Sequence, residues 1–265
     1  MTTEVSEAID VSSLFSIAGK TALVTGGSRG IGLMIARGYV EAGVKVYISS
    51  RKAEVCDAVA KELSAIGSCV SVPADIGTAE GRAKLVGAIT DAEESLEILV
   101  NNAGANWGAS FEEYPDSGVE KVMNLNVNAM FSLTRDFLPL LEKGAKPGDP
   151  ARVINVGSID GLHVPTMDNF IYPVSKAAVH HLTHVLAVNL GEKGITVNAI
   201  APGPFESKMT EWMLENFQDS IEQQCPLHRI GVPADMAGIA IYLASRAGAY
   251  VNGAVIPVDG GIHLK

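Results

Sequence analysis

Residues 21–32 read Thr-Ala-Leu-Val-Thr-Gly-Gly-Ser-Arg-Gly-Ile-Gly. Five residues of strand character run straight into spaced glycines and then into an amphipathic stretch. Gly26 permits a tight turn, Gly30 lets an anion approach the backbone, and Gly32 lets helix and strand pack closely. A phosphate-binding turn between a first strand and a first helix needs those three properties. Ser28, Arg29 and Ile31 share the turn and are candidate contacts of the same ligand. An ordinary strand–helix turn is the plain alternative, and the rest of the chain weighs against it.

Working outward, short β-branched runs alternate with amphipathic stretches. Strands are predicted over 21–25, 44–49, 68–72, 97–101, 152–156, 195–200 and 254–258. Helices are predicted over 31–42, 53–66, 79–94, 119–141, 172–192 and 234–244. Uncharged strands joined by helices and right-handed crossovers give an α/β fold, a Rossmann-like doubly wound seven-stranded parallel sheet. At roughly 150 residues per domain, 265 residues allow one or two domains. No linker, repeat or low-complexity tract divides the chain, so a single domain over 17–265 is expected, preceded by an N-terminal extension over 1–16. Residues 201–229 are long for a connection and read as a helical substrate lid.

Hydrophobic residues make up 47% and charged residues 19% of the chain, which excludes a disordered polymer. The net charge of −10 argues against a nucleic-acid or anionic-membrane surface. No apolar run spans a bilayer, and Glu4, Glu7 and Asp10 precede the first basic residue, Lys20, unlike a signal peptide. Cys56, Cys69 and Cys225 read as packing thiols in a cytoplasmic, reducing compartment. No His, Cys or carboxylate cluster has metal-ligand spacing, so no metal is expected.

The end of the second strand selects the nucleotide. A site that prefers NAD places an acid there for the ribose 2′-hydroxyl. This chain has Ser49-Ser50-Arg51-Lys52 instead. Arg51, joined by Arg29, offers a guanidinium fork to a 2′-phosphate, which favours NADP(H); Arg51 as a solvated surface residue is the alternative.

Tyr172 and Lys176 are four apart at the start of a helix and lie on one face. Carbonyl reduction needs hydride at carbon and a proton at oxygen, and a cation beside a phenol favours the phenolate. Ser158 ends the fifth strand, at the sheet edge where ligands bind, and its hydroxyl suits a developing alkoxide. Asn126 is a poor helix former among apolar neighbours.

The series Thr25-Gly-x-x-x-Gly-x-Gly32, Asp75, Asn101-Asn-Ala-Gly104, Asn126, Ser158, Tyr172-Pro-Val-Ser-Lys176 and Pro202-Gly203 resembles the short-chain dehydrogenase/reductase family over nearly the full length. Within it the chain looks most like NADPH-dependent 3-oxoacyl reductases of the rhamnolipid-pathway type. The resemblance implies a catalytic tetrad of Asn126, Ser158, Tyr172 and Lys176, with Tyr172 the proton donor and Asn126 holding a relay water. It implies that Asp75 and Ile76 hold the adenine edge and Asn102 the adenosine ribose. Phe205 (through its backbone) and Ser207 would receive the nicotinamide carboxamide, and Tyr172 and Lys176 would face the nicotinamide ribose. Asp75 as a helix-start acid near Gly77 is the competing reading. Ser158 and Tyr172 stand one residue further apart than is common in the family, which is expected to reshape the pocket. His163, in that stretch, reads as a pocket or loop-packing residue rather than an acid or base.

Trp107, Leu162, Val164, Met167, Phe170, Phe205, Met209, Trp212 and Met213 are expected around the mouth and suit an acyl chain or a bulky ketone. Arg135, Lys143, Lys146 and Lys193 form either a local basic patch for an acidic carrier protein or dispersed solvated charges. The first reading is reduction of a 3-oxoacyl thioester or related ketone by NADPH. A carbonyl reductase of bulky free ketones and a non-catalytic NADP(H)-sensing module are the alternatives. Relatives are commonly tetramers built on the helices over 119–141 and 172–192, so a homotetramer or dimer is expected.

Overall fold

The β-branched runs form seven parallel strands: β1 (Thr21–Thr25), β2 (Lys45–Ser49), β3 (Cys69–Ser71), β4 (Ile98–Asn101), β5 (Ala151–Val156), β6 (Ile195–Pro202) and β7 (Val255–Val258). Their order across the sheet is β3-β2-β1-β4-β5-β6-β7. The computed structural model describes residues 10–265, and residues 1–9 of the N-terminal extension lie outside the described residues. The helices are α1 (Val11–Leu14), α2 (Gly30–Glu41), α3 (Ala53–Leu63), α4 (Ala79–Ala92), α5 (Asp116–Met123), α6 (Ala129–Asp136), α7 (Leu138–Gly144), α8 (Ile171–Leu190), α9 (Glu211–Gln224) and α10 (Pro233–Ala244).

Successive strand residues point to opposite faces, and both faces are covered. Leu23, Leu99, Val153 and Val197 pack with Leu85 and Ile89 of α4, Leu133 of α6 and Leu186 of α8. Ala22, Val24, Ile98, Val100, Ile154 and Ile200 pack with Ile35 and Tyr39 of α2 and Met236 and Leu243 of α10. Strands buried on both faces leave little room for an unpaired charge, which explains their largely apolar sequences, with Lys45 and the paired Arg152 near strand starts as the charged members. The chain leaves β1 toward β2 on one side and returns to β4 on the other. That reversal opens a crevice beyond the carboxyl ends of β1 and β4.

Three elements differ from the sequence reading. The predicted helix over 119–141 is three helices: α5 passes through a π turn, Asn124–Asn128, into α6, which stops at Phe137 before α7. Pro139, in the first turn of α7, has no N–H to continue α6 and its ring suits a new helix start. Strand β6 runs two residues beyond the predicted end, to Pro202, because Ala201 and Pro202 pair with Pro257 and Val258 of β7. Strand β3 is only Cys69–Ser71, an edge strand paired on one side with β2. Among the described residues no helix is long and apolar enough to cross a membrane. All three cysteines are free and buried.

Candidate active site

The glycine turn is cut to fit its neighbours. A Cβ on Gly32 would stand 2.4 Å from both the Gly26 carbonyl oxygen and Asn102 Nδ2, far inside van der Waals contact. Asn102 is itself a strut: its side-chain amide donates to Thr25 O at 2.8 Å, and its backbone N–H donates to Thr25 Oγ1 at 2.9 Å. The turn is therefore fixed from below by the loop after β4, and its inner surface is bare backbone at the N-terminus of α2. Gly30, at φ 53°, faces Ser207, whose Cβ lies 3.0 Å from the position a Cβ would take there. The segment after β6 thus closes over the glycine turn, although the two are far apart in sequence.

Ser28 and Ile76 are buried, whereas Arg29, Arg51 and Asp75 are exposed. Neither arginine is in an ion pair with a carboxylate among the described residues. Arg51 and Asp75 line a depression of about 490 Å³ with Thr78 and Lys84. One Asp75 oxygen accepts from Gly77 N at 3.0 Å, so the helix-start reading of Asp75 accounts for one of its two oxygens. A cradle without side chains, two free guanidinium groups and a helix N-terminus fit a phosphorylated dinucleotide.

The reacting end is assembled from β5, the π turn and α8. Ser158 follows β5 in extended backbone, and its Oγ accepts from Asp160 N at 3.1 Å. That bond leaves the hydroxyl proton free to donate. Tyr172 stands opposite, where the Ser158 hydroxyl acts on the phenol. Lys176, one turn on, is buried, donates from Nζ to Val156 O at 2.8 Å, and holds Nζ 5.5 Å from the Tyr172 ring centroid. Burial drives the two groups in opposite senses. The Tyr172 phenol is pushed up to about 12 by desolvation, then by the negative charge of Asp160, against the Ser158 hydrogen bond. The Lys176 ammonium is brought down to about 8 by desolvation, against the attraction of Asp160. Here the phenol is a protonated acid, ready to give a proton rather than take one.

Asn126 enters through the π turn, whose widened backbone points its side chain inward. It is 1% exposed. Its Nδ2 donates to Ala105 O and to Ser175 Oγ, both at 2.9 Å, and its Oδ1 accepts from Ala105 N at 2.8 Å. Ser175 Oγ in turn donates to Tyr172 O at 2.7 Å. Both amide protons are thus committed to a chain that ties the loop after β4 to the first turn of α8. Ser175, Thr25 and Asp160 were not singled out from the sequence. Serine and threonine at strand and helix ends are too common to signal, but the acid in Ser158-Ile-Asp160-Gly was a usable sign.

The 3-10 turn Ile159–Gly161 and a loop separate Ser158 from Tyr172, and the Ser158 hydroxyl acts on the phenol. Asn169 anchors that loop: its carbonyl accepts from Tyr172 N at 2.8 Å. Phe170 packs edge-on against Phe111 and Tyr114. Leu162, Met167, Met209 and Trp212 are exposed about the opening, with Val164 91% exposed. Two residues expected at the mouth are engaged elsewhere. Phe205 is buried against Gly231, and Trp107 lies against Gly118 with Lys121 Nζ 4.8 Å from its ring. The basic residues do not form a patch at the opening. Lys146 and Lys193 precede β5 and β6, at the sheet edge opposite Ser158, and Arg135 and Lys193 pair with Asp136 and Glu142.

A family model described as enoyl-(acyl carrier protein) reductase matches residues 26–263. A short-chain dehydrogenase/reductase of Diaporthe leptostromiformis is 33% identical over 284 aligned positions, covering 98% of this chain and 97% of its own length. The chain belongs to the short-chain dehydrogenase/reductase family. Among its relatives, the rhamnolipids biosynthesis 3-oxoacyl-[acyl-carrier-protein] reductase of Pseudomonas aeruginosa is 49% identical over 252 residues, covering 94% of this chain and 98% of that one. The solved Pseudomonas aeruginosa RhlG/NADP active-site complex superposes with a TM-score of 0.92 at 48% identity, covering 95% of this chain and 99% of that one. The glycine turn follows β1 and Ser158 follows β5, both at the carboxyl edge of the sheet.

Proposed function

We propose that this protein is an NADPH-dependent oxidoreductase that reduces the keto group of a 3-oxoacyl thioester to a secondary alcohol. The meeting of Ser158, Tyr172 and Lys176 beside the glycine turn carries the reading. The backbone of 26–32 and the start of α2 would hold the pyrophosphate, with Ser28 and Ile31 in the same turn. Arg29 and Arg51 would meet the 2′-phosphate, Asp75 and Ile76 the adenine, and Asn102 its ribose. Phe205 and Ser207 would hold the carboxamide and Lys176 the second ribose. The bound cofactor supplies the hydride.

The protein's own contribution is at the substrate oxygen. Ser158 donates a hydrogen bond to it, because its oxygen is already occupied by the Asp160 N–H. As negative charge builds there, the Tyr172 O–H bond breaks and its proton passes to that oxygen. The phenolate left behind lies beside the Lys176 ammonium, whose charge lowers the cost of forming it. Asn126 and Ser175 hold the first turn of α8 so that phenol and ammonium keep their spacing.

Residues 201–229, with α9, serve as the lid of a domain over 17–265. Leu162, Met167, Met209 and Trp212 offer exposed apolar surface for an acyl chain. The placement of Lys146 and Lys193 at the far edge favours a second reading, a bulky free ketone without an acidic carrier. Exposed Phe131 on α6 and Val174, Val185 and Val188 on α8 suit association into a homo-oligomer, and three buried thiols suit a cytoplasmic setting. Oxidation of NADPH and NADH by the purified protein across 3-oxoacyl thioesters and free ketones tests the proposal. Thioester turnover with NADPH, lost in Tyr172→Phe, supports it. Turnover of free ketones alone moves the substrate to the second reading, and activity surviving Tyr172→Phe sinks the mechanism.

A further inference from the structure

Two glycines bracket Ser158, and one side chain of α8 meets both. Gly157 stands between β5 and Ser158, and its N–H donates to Ile200 O of β6 at 2.7 Å. A Cβ there would stand 2.2 Å from Nε2 and 2.7 Å from Cδ2 of His180, with Ile200 O at 3.3 Å. Gly161 closes the 3-10 turn Ile159–Gly161, and a Cβ on it would stand 2.7 Å from Cε1 of the same ring. That Cβ would also meet the Lys176 carbonyl carbon at 2.7 Å and Ala177 N at 2.8 Å. Neither glycine has a positive φ, so lack of space, and not backbone conformation, demands them.

His180 lies one turn beyond Lys176 and two beyond Tyr172, on the same stripe of α8. The ring is buried, and neither of its nitrogens has a partner at hydrogen-bond geometry among the described residues. It contributes shape rather than bonds. We propose that His180 is a positioning residue of this site: its ring is the spacer that sets the Ser158 turn against α8 and so fixes the Ser158 hydroxyl relative to Tyr172 and Lys176. The segment that carries Ser158 then meets α8 at three successive points. Lys176 Nζ donates to Val156 O at 2.8 Å, the ring meets Gly157, and the ring and the helix backbone together meet Gly161. The bond from Gly157 N to Ile200 O ties the segment to β6 as well, so it cannot back away from the ring freely. Ser158 Oγ, accepting from Asp160 N at 3.1 Å, is carried between these contacts. Burial, then the charge of Lys176, keep the imidazole neutral, so the spacer adds no second cation beside the ammonium.

The inference rests on the proposed reduction for its kinetic signature, but its structural test does not. A methyl group at Gly157 has to be accommodated by a displacement of about 1 Å, and misplacement on that scale is worth about a hundredfold in rate where geometry is tight. Gly157→Ala is therefore expected to lower kcat by about tenfold or more, with the KM for NADPH unchanged. His180→Ala removes both ring atoms that the methyl would meet and leaves Ile200 O at 3.3 Å, an approach that small adjustments absorb. Gly157→Ala with His180→Ala is thus expected to recover most of the kcat that Gly157→Ala alone loses. A ring that only fills the core gives the opposite result, a paired variant slower than either single one, because neighbouring packing defects then accumulate.

Crystal structures of the same variants show the position directly. Gly157→Ala is expected to displace Ser158 Oγ from Tyr172 by a similar distance, and the paired variant to return it. His180→Leu, which fills the site without a planar ring, serves should Gly157→Ala fail to fold, and it is expected to let Ser158 Oγ move and to lower kcat. Ser158 unmoved in a folded single variant, or equally displaced in the paired one, overturns the proposal whatever the enzyme turns over. A displaced Ser158 with an unchanged kcat overturns it too. Displacement and return of Ser158 in a protein that reduces no ketone upholds it and overturns the functional reading instead.

Discussion

Replacing Arg152 by Met is expected to cost this protein much of its stability and none of its chemistry. The side chain starts in β5 at the amino edge of the sheet and is 1% exposed. Its Nε donates to Leu243 O at 3.0 Å and its terminal nitrogen to Ser245 O at 2.9 Å and Asp149 Oδ1 at 3.0 Å, with a further bond to Pro150 O. Leu243 and Ser245 are at the end of α10, so the guanidinium satisfies the Leu243 carbonyl, shares the Ser245 carbonyl with Gly248 N, and places a cation at the negative end of the helix. Met fills a similar volume but donates nothing. The Leu243 carbonyl left unpaired costs about 1–3 kcal/mol, and loss of the charged bond to Ser245 O, which keeps Gly248 N, about 1.5–3 kcal/mol more. Asp149 keeps Lys20, 2.8 Å away, so the carboxylate is not stranded. The expected loss is about 3–5 kcal/mol, in line with breaking a buried charge network. At about 2–3 °C per kcal/mol for a chain of this size, Tm falls by roughly 6–15 °C. Equilibrium urea unfolding and thermal melts measure the loss, with kcat/KM at low temperature as the control, since the site is at the other edge of the sheet. A loss under about 1 kcal/mol would refute the reasoning, because it would mean that the network is no better than an apolar filling.

Gly32→Ala forces the Cβ to move by about 1 Å from Gly26 O and Asn102, and misplacement on that scale is worth about a hundredfold where geometry is tight. Its NADPH Kd, measured by calorimetry, is expected to rise at least tenfold; a change under twofold would show that the turn yields freely. Arg51→Ala is expected to weaken NADPH binding by about 1–3 kcal/mol and leave NADH binding alone, and equal effects on the two would remove Arg51 from the 2′-phosphate site. His180 is buried, and desolvation, then the charge of Lys176, take its imidazole down to about 4. It is neutral when folded, so the unfolded chain binds the extra proton as pH falls below its own value of about 6.5. The stability present above that pH is lost on the way down to about 4, amounting to about 3 kcal/mol. Urea midpoints from pH 7 to 4 should fall less steeply in His180→Gln, and parallel curves would show that His180 takes no part.

The fold was legible because parallel strands buried on both faces are largely apolar and helices between them must stop, so composition and spacing mark most elements. Gly26, Gly30 and Gly32 were legible for a related reason, since the phosphate turn is a local device of about eight residues. Tyr172 and Lys176 share a helix face by periodicity, and that too is local. What the sequence could not supply were relations between distant segments. The break at Phe137 and the π turn around Asn126 depend on what the long helix must reach. Phe205 is drawn away from the mouth by Gly231, and Lys146 and Lys193 fall at the wrong edge because the strands they precede are parallel. The proton states of the site are likewise tertiary. The sequence places a cation near a phenol, but only burial decides that the phenol is pushed up to about 12 and the ammonium down to about 8. Local chemistry is written in residue types at fixed spacing, whereas desolvation and charge coupling arise from which segments exclude water together, and that is settled only when the chain has folded.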